Sequence, residues 1–138
     1  MNQTKTEAAE KAAGARGGAW QHNPPSLVTR VKLVHAHNVI LHVKLADMKI
    51  RYAMRYGIPL WAKELVSYVE RYGKHKKVRR PGRSRFWRGI VMYENDEYEM
   101  EMSVAKLVEL ITTTDKWKKS TIANQIIEKV KEILSGHE

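Results

Sequence analysis

The sequence predicts a mainly α protein: a bundle of about four helices with an extended N-terminal arm and a small β-hairpin. Apolar residues between Ser26 and Gly57 recur at spacings of three and four, which is typical of a helix. Two segments near the C-terminus have the same rhythm, and the apolar period changes to two at residues 85–102. A chain of 138 residues is long enough for one core. We therefore expect an arm over residues 1–25 and a single helical domain over 26–138.

The first predicted helix begins at Ser26, a candidate N-cap that follows two prolines. Its apolar stripe would keep one face toward a partner for about eight turns. Residues 39–45 also alternate and are β-branched, but the length of the stripe favours one long helix. The stripe consists of Leu27, Val31, Val34, Asn38, Leu41, Leu45, Met48 and Tyr52.

Three further helices are predicted from start and stop signals. Pro59 opens the second helix, which ends before Gly73 and forms a helical hairpin with the first. Ser103 is the predicted N-cap of the third helix, and the fourth begins at Ser120 or Thr121.

The β-hairpin is predicted where the apolar period changes to two. Its strands are "RFWRGIVMY" and "YEMEM", joined by a turn at "ENDE". In the second strand, three apolar residues alternate with Glu97, Glu99 and Glu101. The three carboxylates would therefore share one face.

The composition indicates an anionic partner. The chain has 25 Lys and Arg against 15 Asp and Glu, a net charge of +10. Nucleic acid is the first expectation and a membrane surface the second. No apolar run approaches the roughly 20 residues that span a bilayer, and the N-terminus lacks the apolar core of a signal peptide. We expect a soluble, intracellular protein. The absence of cysteine excludes disulfides, thiolate zinc sites and thiol nucleophiles, and suits a hot host.

The segment Arg71–Arg88, "RYGKHKKVRRPGRSRFWR", contains nine Lys or Arg and no acidic residue. Each phosphate that such a segment neutralises releases a counterion, which gives strong binding that does not depend on base sequence. Arginine suits this role because its planar group donates two parallel hydrogen bonds. We expect Phe86 and Trp87 to anchor this basic connection to the core rather than to stack on bases.

Basic residues of the arm and the first helix extend the predicted interface. Those on the helix lie off its apolar stripe, so the helix would lie against a duplex and bind its shape. The predicted nucleic-acid-binding residues are Arg16, Arg30, Lys44, Arg51, Arg55, Arg71, Lys74, Lys76, Lys77, Arg79, Arg80, Arg83, Arg85 and Arg88.

The acidic run at Glu97, Glu99 and Glu101 raises an enzyme hypothesis, because carboxylates on one strand face can hold Mg²⁺ for phosphodiester hydrolysis. A common nuclease pattern has a lysine two residues after the second acid, and here that position is glutamate. A solvated strand face is favoured. The acidic face could instead meet the basic segment of an adjacent subunit.

Histidines suggest a metal site, but the pattern does not support one. His35, His37 and His42 include no pair at a spacing of four and no nearby carboxylate in sequence. No nucleophile elbow, Walker or dinucleotide loop is present. We expect no enzymatic activity, no metal, no cofactor and no small-molecule substrate.

The C-terminal segments have a helix-turn-helix rhythm, which favours an alternative function: a small winged-helix transcriptional regulator. Ser120, Thr121, Asn124 and Gln125 could read base edges at the start of the last helix. That helix has few arginines and a wide apolar stripe, so a bundle helix is favoured over a recognition helix.

The low-complexity arm, long cationic helix, arginine-rich bend and C-terminal helices together resemble the coat proteins of filamentous and rod-shaped viruses of hyperthermophilic archaea. In that family, small helical subunits, often dimers of two related chains, wrap linear double-stranded DNA in its A-form. The hairpin at 85–102 departs from an all-helical subunit.

The resemblance implies a non-enzymatic capsid subunit that forms a helical nucleoprotein filament. The arm, the first helix and Lys74–Arg88 would line the DNA, and the helices from Ser103 and Ser120 would face neighbouring coat subunits in a homo- or hetero-oligomer. The protein would be found in the virion, assembled in the host cytoplasm, or would otherwise be cytoplasmic. Proteins that bind RNA have similar charge statistics, so the choice between DNA and RNA stays open.

Overall fold

The computed structural model describes residues 27–84, 86 and 88–136. Short 3₁₀ helices lie at Leu60–Ala62 and Asp115–Lys119. The strands and helices, in chain order, are β1 (Val28–His35), β2 (Val39–Leu45), β3 (Met48–Met54), α1 (Lys63–Tyr72), β4 (Lys74–Arg83), β5 (Ile90–Ser103), α2 (Val104–Ile111) and α3 (Thr121–Ser135). The strands form one antiparallel sheet in the order β3-β2-β1-β5-β4. The predicted mainly α bundle is therefore wrong.

The predicted long helix over residues 26–57 is instead the meander β1-β2-β3. Buried residues alternate along the strands, as at Val31 and Leu33 in β1 and at Leu41 and Val43 in β2. Apolar residues are so dense here that they satisfy the helical spacing and the strand spacing together. The β-branched residues favour strands over a helix, because they pack well on a pleated surface.

The turn between β2 and β3 consists of only two residues, since Leu45 pairs with Met48. Ala46 adopts a left-handed conformation there, with φ of 53°. Such turns usually carry Asn-Gly or Asp-Gly. Ala46-Asp47 has neither, so no turn can be predicted here from the sequence.

The three α-helices lie where the sequence predicts helices, but they do not form a bundle. The Oγ atoms of Ser103 and Ser120 accept hydrogen bonds from the backbone N–H groups of Lys106 and Ala123, each at 3.1 Å. The predicted N-cap at Ser103 is therefore confirmed, and of the two predicted starts of the last helix Ser120 is the N-cap. The predicted N-cap Ser26 lies outside the described residues. The helices pack against one face of the sheet, because each has a single apolar face.

The core lies between that sheet face and the helices. Its fully buried side chains include Leu33 and Leu41 from the sheet and Leu65, Leu107 and Ile126 from the helices. Burying each such side chain contributes about 1.5–3 kcal/mol. The residues between them on β1, β2 and β3 point to the other face, which no helix covers in the described part of the chain. We call this second face the open face.

Residues 90–103 form one continuous strand, so the predicted turn at "ENDE" is wrong. The hairpin is formed by β4 and β5, with Val78 opposite Asn95 and Arg83 opposite Ile90. The basic connection predicted at 71–88 is largely the edge strand β4. An edge strand tolerates Pro81, whose missing N–H would interrupt a central strand.

The end of this hairpin extends beyond the rest of the sheet. β1 ends at His35, which pairs with Asp96, so residues 78–83 and 90–95 have no third strand among the described residues. We call these two segments, with their connection 84–89, the basic ribbon. The arm predicted over residues 1–25 lies outside the described residues.

The β2-β3 turn provides a test of the strand assignment. We expect Ala46→Gly to stabilise the protein by about 1 kcal/mol, because a left-handed residue with a Cβ atom costs roughly that much. Ala53→Gly, within β3, should destabilise it by about 0.5–1 kcal/mol. Urea unfolding of the two variants measures both effects. If both substitutions destabilised the protein, the turn at Ala46 would be contradicted.

Candidate nucleic-acid interface

The basic ribbon carries arginines on both of its faces. Side chains alternate along β4, so Arg79 and Arg83 point to one face and Arg80 to the other. These three residues and Arg88 are exposed. Residues 78–95 contain five arginines and one acidic residue, Glu94. The ribbon therefore has much more positive charge than its own acid can neutralise.

Large apolar side chains are exposed beside these arginines. Phe86 is 91% exposed and Ile90 is 75% exposed, so Phe86 does not anchor the segment to the core as predicted. Met92 and Tyr93 are about half exposed. The Tyr93 hydroxyl donates a 3.3 Å hydrogen bond to the carbonyl of Arg83, which ties the two strands together. Trp87 and Arg85 lie outside the described residues.

Close packing also joins the strands of the ribbon at Gly82. A Cβ atom on Gly82 would lie 2.9 Å from carbons of the Tyr93 ring. The aromatic ring therefore packs directly on the backbone of β4. A larger residue at this position would have to displace the Tyr93 ring.

At the base of the ribbon, Glu97 joins three strands. Its side chain is only 1% exposed, so the predicted solvated strand face is wrong for this residue. Lys32 Nζ of β1 lies 3.2 Å from Glu97 Oε1, and Arg80 Nη2 of β4 lies 3.2 Å from Glu97 Oε2. Burial alone would raise the pKa of this carboxyl. The hydrogen bonds from Lys32 and Arg80 outweigh it, so the pKa is lowered.

An aromatic and histidine cluster supports the opposite face of the same base. The His75 ring stacks on Tyr98 with centroids 4.5 Å apart, and His75 Nε2 lies 2.9 Å from Asp96 Oδ1. This hydrogen bond lowers the pKa of Asp96. His35 meets the same Tyr98 edge-on, and its Nε2 lies 2.7 Å from Glu70 Oε2 of α1. The ribbon thus emerges from a well-connected base.

The structure separates the other predicted binding residues into groups. Arg30, Lys44 and Arg51 lie on the open face of β1, β2 and β3, and Lys74 and Lys76 lie on the same side of β4. Lys77, on the other face of β4, is 3.7 Å from Asp96 Oδ1. Arg55 follows β3 and Arg71 lies in the last turn of α1, outside both the ribbon and the open face. Arg16 lies outside the described residues.

The glutamates of β5 share one face, as predicted, and their partners are cations of the same chain. Arg30 Nη2 donates a 2.9 Å hydrogen bond to Glu101 Oε2, and Arg30 Nε lies 3.8 Å from Glu99 Oε2. With Glu97 bound to Lys32 and Arg80, the acidic face is occupied by structural ion pairs. Among the residues that the structure describes, no three His, Asp or Glu side chains are grouped as metal ligands.

The C-terminal helices lack the features of a recognition unit. Nine residues, 112–120, separate α2 from α3, whereas a helix-turn-helix has a turn of about 3–4 residues. On the outer side of α3, Lys131 pairs with Glu128 and Lys129 pairs with Glu132, so the lysines of this helix are neutralised within it. The predicted readers Asn124 and Gln125 line a groove between α3 and β3.

Comparisons with known proteins do not indicate a function, so the functional proposal rests on the geometry of the site. No protein-family model, no curated protein and no solved structure matches the chain. Within its described residues, no helix is both long enough and apolar enough to cross a membrane.

The Glu97 ion pairs predict how stability depends on pH. Glu97→Gln should lower the free energy of unfolding by about 1–3 kcal/mol at neutral pH, because it weakens two hydrogen bonds from charged groups. The folded-state pKa is lowered, so this stabilisation is present above the unfolded value of about 4.3. It is lost as the pH falls through the folded pKa.

Urea unfolding at neutral and acidic pH measures this difference. Glu101→Gln is the matched control, because its carboxylate pairs with Arg30 in an exposed position and should matter little. Equal effects of the two substitutions at neutral pH would contradict a structural role for Glu97.

Proposed function

We propose that this protein is a non-enzymatic, DNA-binding structural protein that holds double-stranded DNA through the basic ribbon without reading its sequence. The observation that carries this proposal is the ribbon's extension past the sheet with arginines on both faces and one acid among residues 78–95. DNA phosphates are dense enough that each cation near them releases counterions. A ribbon of this charge has a strong electrostatic reason to bind a duplex.

The dimensions of a ribbon support DNA as the partner. The major groove of B-DNA is about 12 Å wide and admits a two-stranded β-ribbon. Arg79 and Arg83, which point to the face away from Glu97, can then reach phosphates of the groove. Arg80, on the other face, is held by Glu97 at the base of the ribbon. The major groove of duplex RNA is deep and narrow and does not admit such an element. The shape of the site therefore favours DNA over RNA.

The side chains at the tip suit contacts that do not depend on sequence. Phe86 and Ile90 are exposed and apolar, so they can add apolar contacts to a duplex beside the arginines. Contacts to phosphates fix position without carrying sequence information. Arginine contacts to phosphates, together with apolar contacts from these side chains, would hold a duplex of any sequence.

A coat subunit of a nucleoprotein filament, the role predicted from the sequence, stays a prediction, as does its place in a virion. The ribbon would supply the DNA contact that such a subunit needs. The outer edge of β3 has no partner strand among the described residues and could pair with a neighbouring copy. The long cationic helix, one of the features behind the resemblance, is replaced by three strands.

Neutralising the ribbon tests the proposal. Arg79→Gln with Arg83→Gln should weaken binding to all duplex sequences alike. The slope of log affinity against log salt should become shallower by about 0.9 for each phosphate that the variant no longer neutralises. Fluorescence anisotropy with unrelated duplexes over a salt series measures both quantities.

A control of equal charge is Lys116→Gln with Lys118→Gln, two exposed lysines of the short 3₁₀ helix before α3. This variant should bind nearly as the native protein does. If the two variants behaved alike, the ribbon would not be the binding site. A loss confined to one sequence would support the regulator alternative.

The groove argument gives a separate expectation for RNA. Duplex RNA of the same length and sequence should bind more weakly than duplex DNA, because its major groove excludes the ribbon. The same anisotropy assay, with each duplex as competitor for the other, measures the preference. Equal affinity would show that the ribbon follows the outside of the backbone and does not enter a groove.

A further inference from the structure

Six basic side chains form a regular array on the open face, at some distance from the ribbon. The register aligns them in two rows across the three strands of the meander. We call the array the cationic grid: one row is Arg30, Lys44 and Lys49, and the other is Lys32, His42 and Arg51. Of these six residues, Arg30, Lys44 and Arg51 belong to the predicted nucleic-acid-binding set.

The grid surrounds a shallow depression of about 160 Å³. Neighbouring strands lie about 4.8 Å apart, and alternate residues of one strand lie about 6.7 Å apart. Cations at these spacings can contact the same phosphate group or adjacent ones. Five of the six grid residues line this depression together with Val43, Ile50 and Glu99, and Arg51 lies outside it. The five are Arg30, Lys32, His42, Lys44 and Lys49.

Acidic partners neutralise only part of the grid. Arg30 pairs with Glu101, and Lys32 pairs with Glu97. Lys44, Lys49 and Arg51 form no ion pair with any residue in the described ranges. Lys44 and Lys49 are directly opposite each other, and like charges in that position are destabilising. An anion bound between them would remove this cost.

His42 experiences the positive charge of the grid. Burial lowers its pKa, and the charges of Lys32 on β1 and Arg51 on β3 lower it further. Glu97 on β5 opposes them with a smaller effect. A bound anion would act in the opposite direction and favour the protonated imidazole.

We propose that the cationic grid is a second phosphate-binding surface, which contacts the DNA backbone separately from the ribbon. The identity of the ligand rests on the proposed function, while the site itself rests on the register and charge of β1, β2 and β3. The glutamates of β5 lie between the two surfaces and are occupied by ion pairs. The grid and the ribbon are therefore distinct sites.

The distance from the grid to the far end of the ribbon is close to the helical repeat of DNA. β5 runs from Glu101, beside the grid, to Ile90, at the end of the ribbon. This distance is about 36 Å for eleven residues of strand, close to one helical turn of roughly 34–36 Å. The grid and the ribbon can therefore contact one duplex a turn apart.

The experiment uses His42 as a reporter in the full-length protein. The pKa of its imidazole is measured by NMR, with and without inorganic phosphate, at constant ionic strength maintained with chloride. His42→Gln assigns the signal. Phosphate should raise the pKa of His42 in the native protein and in the ribbon variant Arg79→Gln/Arg83→Gln. It should have no such effect in Lys44→Gln/Lys49→Gln.

Either of two results would overturn the grid site: a pKa of His42 that phosphate does not change, or a shift that persists in Lys44→Gln/Lys49→Gln. The grid variant should fold, since it removes two like charges that face each other. Arg51→Gln provides a second variant in which the phosphate-induced shift should be smaller.

Duplex binding distinguishes this inference from the proposed function. The grid variant should retain the ribbon's contacts, with a salt slope shallower by about 0.9 for each phosphate that the grid no longer neutralises. If the ribbon variant bound DNA normally while His42 still responded to phosphate, the ribbon proposal would fail and the grid would stand. If only the ribbon variant lost affinity and His42 did not respond, the grid alone would fail.

Discussion

Glu97 is bound by Lys32 on one side and by Arg80 on the other, and the arrangement of the sheet depends on this carboxylate. β5 brings its row of glutamates between two strands that are both rich in lysine and arginine. Without them, the cations of β1 and β4 would face one another across the open face. The acidic strand thus allows a chain of net charge +10 to build a sheet from basic strands.

The same strand determines which cations remain available to a ligand. From Asp96 to Glu101, the acids of β5 engage Arg30, Lys32, His75 and Arg80. Between residues 90 and 93 the strand carries Ile, Val, Met and Tyr, so Arg83, opposite Ile90, faces no acid of β5. On the far side of β1, Lys44 and Lys49 are likewise beyond the reach of β5. The structural charges lie between the two surfaces that we propose for DNA.

Sequence reasoning located the helices well because their signals are local. The serine caps of α2 and α3 and the apolar faces of all three helices depend on residues a few positions apart. The meander was missed because its dense apolar residues fit two periods and because Ala46-Asp47 lacks the usual turn residues. Burial of Glu97 could not be predicted either, since its partners Lys32 and Arg80 come from distant strands.

The sequence predicted which segment carries the positive charge of the candidate site. It did not predict that this segment is part of a two-stranded ribbon. The charge of residues 71–88 was sufficient to identify a nucleic-acid-binding segment as a hypothesis. The ribbon exists only because β4 pairs with β5 beyond the end of β1. The cationic grid likewise depends on the register of three strands, which decides that His42 and Lys49 join Arg30 on one face. Register is a long-range property, and a single sequence does not encode it in any short motif.

The position of β1 at the centre of the sheet also has a consequence for folding. On one side it pairs with β2, which follows within a few residues, but Arg30 and Glu101 on the other side are 71 residues apart. Closing a long loop costs more entropy than closing a short one, and such pairings slow folding. During synthesis the meander can form early, whereas one edge of β1 stays unpaired until β5 emerges. The five-stranded sheet is therefore completed only when β5 pairs with β1.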